Sequence, residues 1–145
     1  MEIVLTLLGL SYVAYRLIKL PLAPDEWGVV RSIYHHRFAD HFTARDWQDW
    51  NAQAQFLNLV LSRICFHLFR FNEIQRIRIP SLLAFGVFLC AIWRIRQQFT
   101  RRLVGRLAFV ALLSNAFVLD YFSDSRGYGL AMAFATLSLA ALLEV

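Results

Sequence analysis

Residues 51–71 read NAQAQFLNLVLSRICFHLFRF, and the placement of this one stretch decides the topology of the chain. Its apolar content invites a transmembrane reading. At 100° per residue, however, Asn51, Gln55, Asn58 and Ser62 fall on one stripe, and Arg63, His67 and Arg70 on a neighbouring one. An arginine at mid-bilayer costs on the order of 2.5–3.5 kcal/mol on insertion scales, and this segment would bring two of them together with a histidine. We therefore read it as an amphipathic helix lying on the bilayer surface.

Working outward, four longer apolar runs remain, near residues 3–20, 79–96, 107–122 and 127–143. The second run is extended by Arg94 and Arg96, whose heads snorkel to the interface. A span needs about 20 mostly apolar residues, so four of them use roughly 80 positions and leave the rest for loops. The expected fold is all-α: a polytopic membrane helical bundle of about four spans, with amphipathic outer-loop helices over 21–78, forming a single transmembrane domain over 1–145. Composition supports this reading. Apolar and aromatic residues make up 59% of the chain and charged residues 17%, against about 45–50% and about 25% in soluble domains. That excludes a disordered chain. The net charge of +5 rests on 15 basic residues, all arginine except Lys19. They lie between apolar runs, which favours a lipid bilayer over nucleic acid as the partner. Cys65 and Cys90 both sit inside apolar stretches and read as core packing, offering neither a zinc spacing nor a disulfide framework.

Loop charge fixes the orientation. Between Trp93 and Leu107 lie Arg94, Arg96, Arg101, Arg102 and Arg106 with no acid, which marks that loop as cytoplasmic. With 51–71 on the surface, residues 21–78 and 120–126 share the opposite, outer side. Arg16 and Lys19, at the outer end of the first span, run against this order.

The outer side gathers the chemistry. Ala23-Pro24-Asp25-Glu26-Trp27 opens the long loop, and Asp120-Tyr121-Phe122-Ser123-Asp124-Ser125-Arg126-Gly127-Tyr128 forms the short one. Adjacent carboxylates outside a span can hold a divalent metal or act as a general base. They can equally start a helix, capping its free N–H groups. Ser123, Asp124 or Ser125 can cap the fourth span in the same way, while Arg126 suits a lipid phosphate. Gly127, Ala131 and Ala135 form a small-residue stripe suited to helix packing. His35, His36 and His41 stand with Asp40 among aromatics; they fit interfacial anchoring, with a transition-metal site as the alternative.

The order of these features resembles the N-terminal portion of GT-C membrane glycosyltransferases, near the dolichyl-phosphate-mannose protein mannosyltransferase and aminoarabinose transferase branch. The resemblance rests on the Asp25-Glu26 pair after a first span, an amphipathic outer-loop helix, Arg78-Ile79-Pro80-Ser81-Leu82-Leu83 opening the next span, the arginine-rich loop, and Asp124-Ser125-Arg126-Gly127-Tyr128. It covers this chain but only a part of a family member, so the chain reads as the N-terminal fragment of a larger enzyme, inactive in isolation. A Pro-rich stretch ahead of the outer-loop helix is replaced here by Asn51-Ala52-Gln53-Ala54-Gln55. The resemblance implies a polyprenyl-phosphate-linked sugar as donor, with Asp25 as general base, Glu26 supporting it, Asp124 as second carboxylate with Asp120 as its competitor, and Arg78 and Arg126 binding the phosphate. No cofactor follows from it with certainty; a divalent metal remains an option. The alternative is a small four-span lipid-carrier flippase or accessory subunit, with Ser114, Asn115 and Asp120 lining a polar path.

Overall fold

The computed structural model describes residues 2–35, 56–124 and 127–144. They form seven helices with no strand among the described residues: α1 (Glu2–Lys19), α2 (Pro24–His35), α3 (Phe56–Leu68), α4 (Glu73–Gln98), α5 (Arg102–Leu113), α6 (Ala116–Ser123) and α7 (Tyr128–Leu143). The chain is therefore all-α. Among the described residues, only α4 is by itself long and apolar enough to cross a membrane; α5 and α6, bent by 54° at their junction, pass the same test as a pair.

α4 is the spine, packing against every other helix. Its middle supplies Ala84, Phe85, Phe88 and Ile92 to the main core, which Val13 of α1, Phe109 and Leu113 of α5, Val118, Leu119 and Phe122 of α6 and Ala133 of α7 complete. Phe85 and Phe88 each meet Phe122 with centroids about 5 Å apart, a geometry worth roughly 0.5–1.5 kcal/mol per pair beyond area burial. A smaller core forms where the first turns of α4 meet α2 and α3, around Val29, Val30, Ile33, Phe66 and Ile77.

Four details differ from the sequence reading. α4 begins at Glu73, six residues before the expected start of that span. An acidic residue favours a first turn, and Pro80 sits inside the helix at the cost of one backbone bond. The third run is not one helix but two, because Asn115 interrupts it: its side chain accepts from Phe117 N–H at 3.0 Å and caps α6. The fourth run starts at Gly127, in the left-handed region at φ 74°, with no side-chain cap, so neither Ser123 nor Asp124 caps it. Its packing stripe is Gly129, Ala133 and Ala140, while Ala131 and Ala135 face outward. A Cβ on Gly129 would lie 2.8 Å from the Tyr121 carbonyl and from the Phe122 ring, so glycine lets α6 and α7 close up.

The amphipathic helix also turns out differently. α3 lies against α4 and directs Asn58 and Ser62 inward, both fully buried. Ser62 Oγ donates to the Ile77 carbonyl at 3.0 Å, a carbonyl three residues before Pro80 whose helical partner, four residues on, is Ser81. The polar stripe thus serves the contact with α4. Cys65 is buried as expected, and burial pushes its thiol pKa up; Cys90 is exposed. Residues 36–55, which include His36, His41 and Asp40, lie outside the described residues.

Candidate functional site

The described charges gather at two ends of the bundle. Between them, residues 3–15, 79–93, 107–119 and 127–143 carry no Asp, Glu, Lys, Arg or His. Along α1 the gap from Glu2 to Arg16 is about 21 Å, and along α4 from Arg78 to Arg94 about 24 Å, at 1.5 Å per residue.

At the carboxylate end, the turn from α1 into α2 is built around Glu26. Pro24 occupies the first helical position, where its missing N–H is harmless, but Ala23 before it has no side-chain oxygen to cap with. Glu26, three residues on, reaches back, and its Oε2 accepts from Ala23 N–H at 2.9 Å, one half of a capping box. The same carboxylate meets Arg78: Nε donates to Oε1 at 2.8 Å and Nη2 to Oε2 at 2.5 Å. Arg78 Nη2 also donates to the Pro21 carbonyl at 2.9 Å. Its Nη1 faces the carbonyls of Leu20 at 3.0 Å, Leu17 at 3.2 Å and Arg16 at 3.4 Å.

The Leu17 and Leu20 carbonyls are among those that the end of α1 leaves without helical partners, while the Arg16 carbonyl also accepts from Leu20 N–H at 2.9 Å. Arg78 thus places positive charge at the negative end of α1, and Glu26 places negative charge at the positive end of α2. Glu26 is 0% and Arg78 1% exposed. The desolvation that such burial demands is offset by the bidentate pair and by the backbone partners around it. Of the expected phosphate ligands, Arg78 therefore has every guanidinium nitrogen engaged within the protein.

Three further contacts belong to this end. Ser81, one turn beyond Arg78, donates to the Asp124 carbonyl at 2.9 Å and fixes the close of α6 beside α4. One turn deeper, Arg16 Nη1 lies 2.9 Å from Asp120 Oδ1 and donates to Tyr12 Oη at 2.8 Å, while Tyr12 donates to the same Asp120 oxygen at 3.0 Å. Sequence reasoning treated Arg16 as a misplaced charge. The readable signal was Tyr12 and Arg16 at i, i+4 on α1, with Asp120 among the acids placed on the same side. Tyr34 of α2 donates to Glu73 of α4, and that bond is the first cause raising its phenol pKa above 10.0.

Glu26, Arg78, Asp120 and Asp124 are therefore brought to one end. Asp25 lies in the first turn of α2, beside Glu26 in sequence; its side chain and all of Arg126 lie outside the described residues. No group of three metal-ligating side chains forms among the described residues.

The opposite end belongs to the arginine-rich turn. Glu2 pairs with Arg96 Nη2 at 2.9 Å and Arg106 Nε at 3.3 Å, and Glu144 pairs with Arg94 Nε at 3.3 Å. Arg96 lies over the Trp93 ring, 4.6 Å from its centroid. No family model, curated protein or solved structure matches this chain.

Proposed function

We propose that the chain crosses a bilayer four times and forms the N-terminal portion of a glycosyltransferase, moving a sugar from a polyprenyl-phosphate donor to an acceptor at the outer face. The passes are α1, α4, the bent α5–α6 pair and α7. The charge-free layer of about 21–24 Å supports this placement, because it approaches the ~30 Å hydrocarbon thickness once interfacial arginines snorkel.

The observation that carries the catalytic reading is the Glu26–Arg78 clip. It ties the start of α2 to α1 and α4 and gives the first turn that bears Asp25 a fixed seat at the carboxylate end. Glu26 is then a positioning residue and Asp25 the general base that takes the proton from an acceptor hydroxyl or amine. With Arg78 engaged in the clip, the phosphate falls to Arg126, two residues after the second carboxylate, Asp124, in the sequence.

The test is sugar transfer from a radiolabelled polyprenyl-phosphate donor, in membranes from cells producing the complete reading frame. Asn is about as good a helix cap as Asp, so Asp25→Asn leaves the fold intact. Transfer should fall roughly 10²–10⁴-fold, the usual range for a positioned base; unchanged transfer would return Asp25 to a capping role.

A carrier-moving function is the second reading. It is favoured by Ser114, Asn115 and the Tyr12–Arg16–Asp120 cluster, polar groups with exposure along α1 and the α5–α6 segment. The same labelled donor separates the two, since a flippase moves it across sealed vesicles without transfer.

A further inference from the structure

At the arginine-rich end, the 94–106 segment holds five arginines, of which Arg94, Arg96 and Arg106 meet the carboxylates Glu2 and Glu144. Arg96 is the fixed post of this cluster: its side chain is 19% exposed, held by Glu2 and by the Trp93 ring. Arg94 and Arg106 differ. Each meets its carboxylate through Nε, the inner nitrogen of the guanidinium, and stays 54% and 55% exposed. Arg101 is exposed as well. The turn that carries them is tightly packed, since a Cβ on Gly105 would stand 2.9 Å from the Arg96 carbonyl, and Phe99 N–H bonds that same carbonyl. The patch is therefore presented on a rigid frame.

Beside the arginines lies an apolar fringe: Leu103, Leu107, Val104 and Trp93 are exposed by 40–68%. A soluble anionic partner would neutralise the charge and leave these side chains in water. A bilayer surface satisfies both, with phosphates at guanidinium level and acyl chains against the leucines and the indole. The first turn of α5 also holds no acid and follows directly on Arg101, the sign opposite to that favoured at a helix start, so external negative charge relieves a local repulsion.

We propose that the arginine-rich end is a docking surface for anionic phospholipid headgroups, with Arg94, Arg101 and Arg106 as the phosphate contacts and Leu103, Leu107 and Trp93 as the apolar contacts. It rests on the membrane placement above and is independent of sugar transfer.

Trp93 gives a local probe once Trp27→Phe, Trp47→Phe and Trp50→Phe remove the other indoles. The full chain is reconstituted into phosphatidylcholine bilayers, and quenching of Trp93 is compared for brominated phosphatidylglycerol and brominated phosphatidylcholine. The anionic lipid should quench at several-fold lower mole fraction. That preference should fall with each arginine replaced, approaching equality in Arg94→Gln/Arg101→Gln/Arg106→Gln, and should weaken in high salt. If the triple variant does not fold, Arg101→Gln alone carries the test, because the exposed Arg101 side chain has no part in the Glu2 and Glu144 ion pairs. Equal quenching by the two lipids, or a preference untouched by these substitutions, overturns the proposal. Reversal of quenching by inorganic phosphate would also overturn it, assigning the site to a soluble anion. Failure to enter either bilayer would overturn the membrane placement together with it, whereas loss of sugar transfer alone leaves the lipid result standing.

Discussion

At the carboxylate end the Arg78 guanidinium is sealed among one carboxylate and four carbonyls, at 1% exposure. At the arginine end Arg94 and Arg106 approach their carboxylates at 3.3 Å and stay more than half exposed. The same residue type does different work because its surroundings differ. Buried, an arginine must be saturated, and becomes a fastener between helix ends; exposed, it costs little to leave partly bonded and remains open to an external anion. The difference implies that stability is concentrated at one end and adaptability at the other.

The largest expected effect comes from opening the clip. Arg78→Ala would strand a buried Glu26 and leave the last carbonyls of α1 without donors. Removing one partner of a buried pair costs about 3–5 kcal/mol, enough to consume much of an ordinary domain's stability. The check is thermal unfolding of the purified chain in detergent, followed by helical circular dichroism. A double change to apolar residues, Glu26→Leu/Arg78→Met, should recover much of the loss, because it removes the charge left alone. If Arg78→Ala unfolds with the wild type, the two ends do not differ as described.

The opposite end should respond weakly to the matching change. Glu144→Gln removes the acid that meets Arg94, a pair whose side chains are 54% and 36% exposed, and pairs of this exposure contribute about 0–1 kcal/mol and are screened by salt. The same unfolding measurement should show a small shift that vanishes as ionic strength rises. A loss comparable to that of Arg78→Ala would mean that the Glu144 pair, too, acts as a fastener.

This contrast was only half legible in the sequence. The helical class followed from the apolar runs, and loop charge marked the arginine-rich segment, since both are local patterns. Glu26 and Arg78 were both visible as site candidates, but their pairing lies across 52 residues and no periodicity reports it. The capping option for the Asp25-Glu26 pair was readable from Pro24 and is realised by Glu26; the identity of its second partner was not. Asn58 and Ser62 were legible as a stripe, but a stripe does not say which way it faces. Here it turns inward because Ser62 finds the Ile77 carbonyl, a three-dimensional fact. Asn115 could have been read as a break, since a side chain that bonds its own backbone favours caps over helix interiors; the apolar residues on both sides concealed it.

The smallest expected effect separates burial from position at the carboxylate end. Tyr34 and Glu73 meet there as well, but on the surface, where Tyr34 is 56% exposed. Glu73 accepts a bond from the neutral phenol and repels its anion, so the folded state holds the proton more tightly than the unfolded chain, whose pKa is near 10.0. A group whose folded pKa is raised contributes stability that is complete below the unfolded pKa and is lost as pH climbs through the folded value. Tyr34→Phe should therefore leave unfolding at neutral pH nearly unchanged and remove only a shallow alkaline loss above pH 10. Ultraviolet titration of wild type minus variant should show one phenol ionising later than free tyrosine. If Tyr34→Phe instead destabilises the chain at neutral pH as Arg78→Ala does, then location at this end, and not burial of the charge, governs what a polar contact contributes.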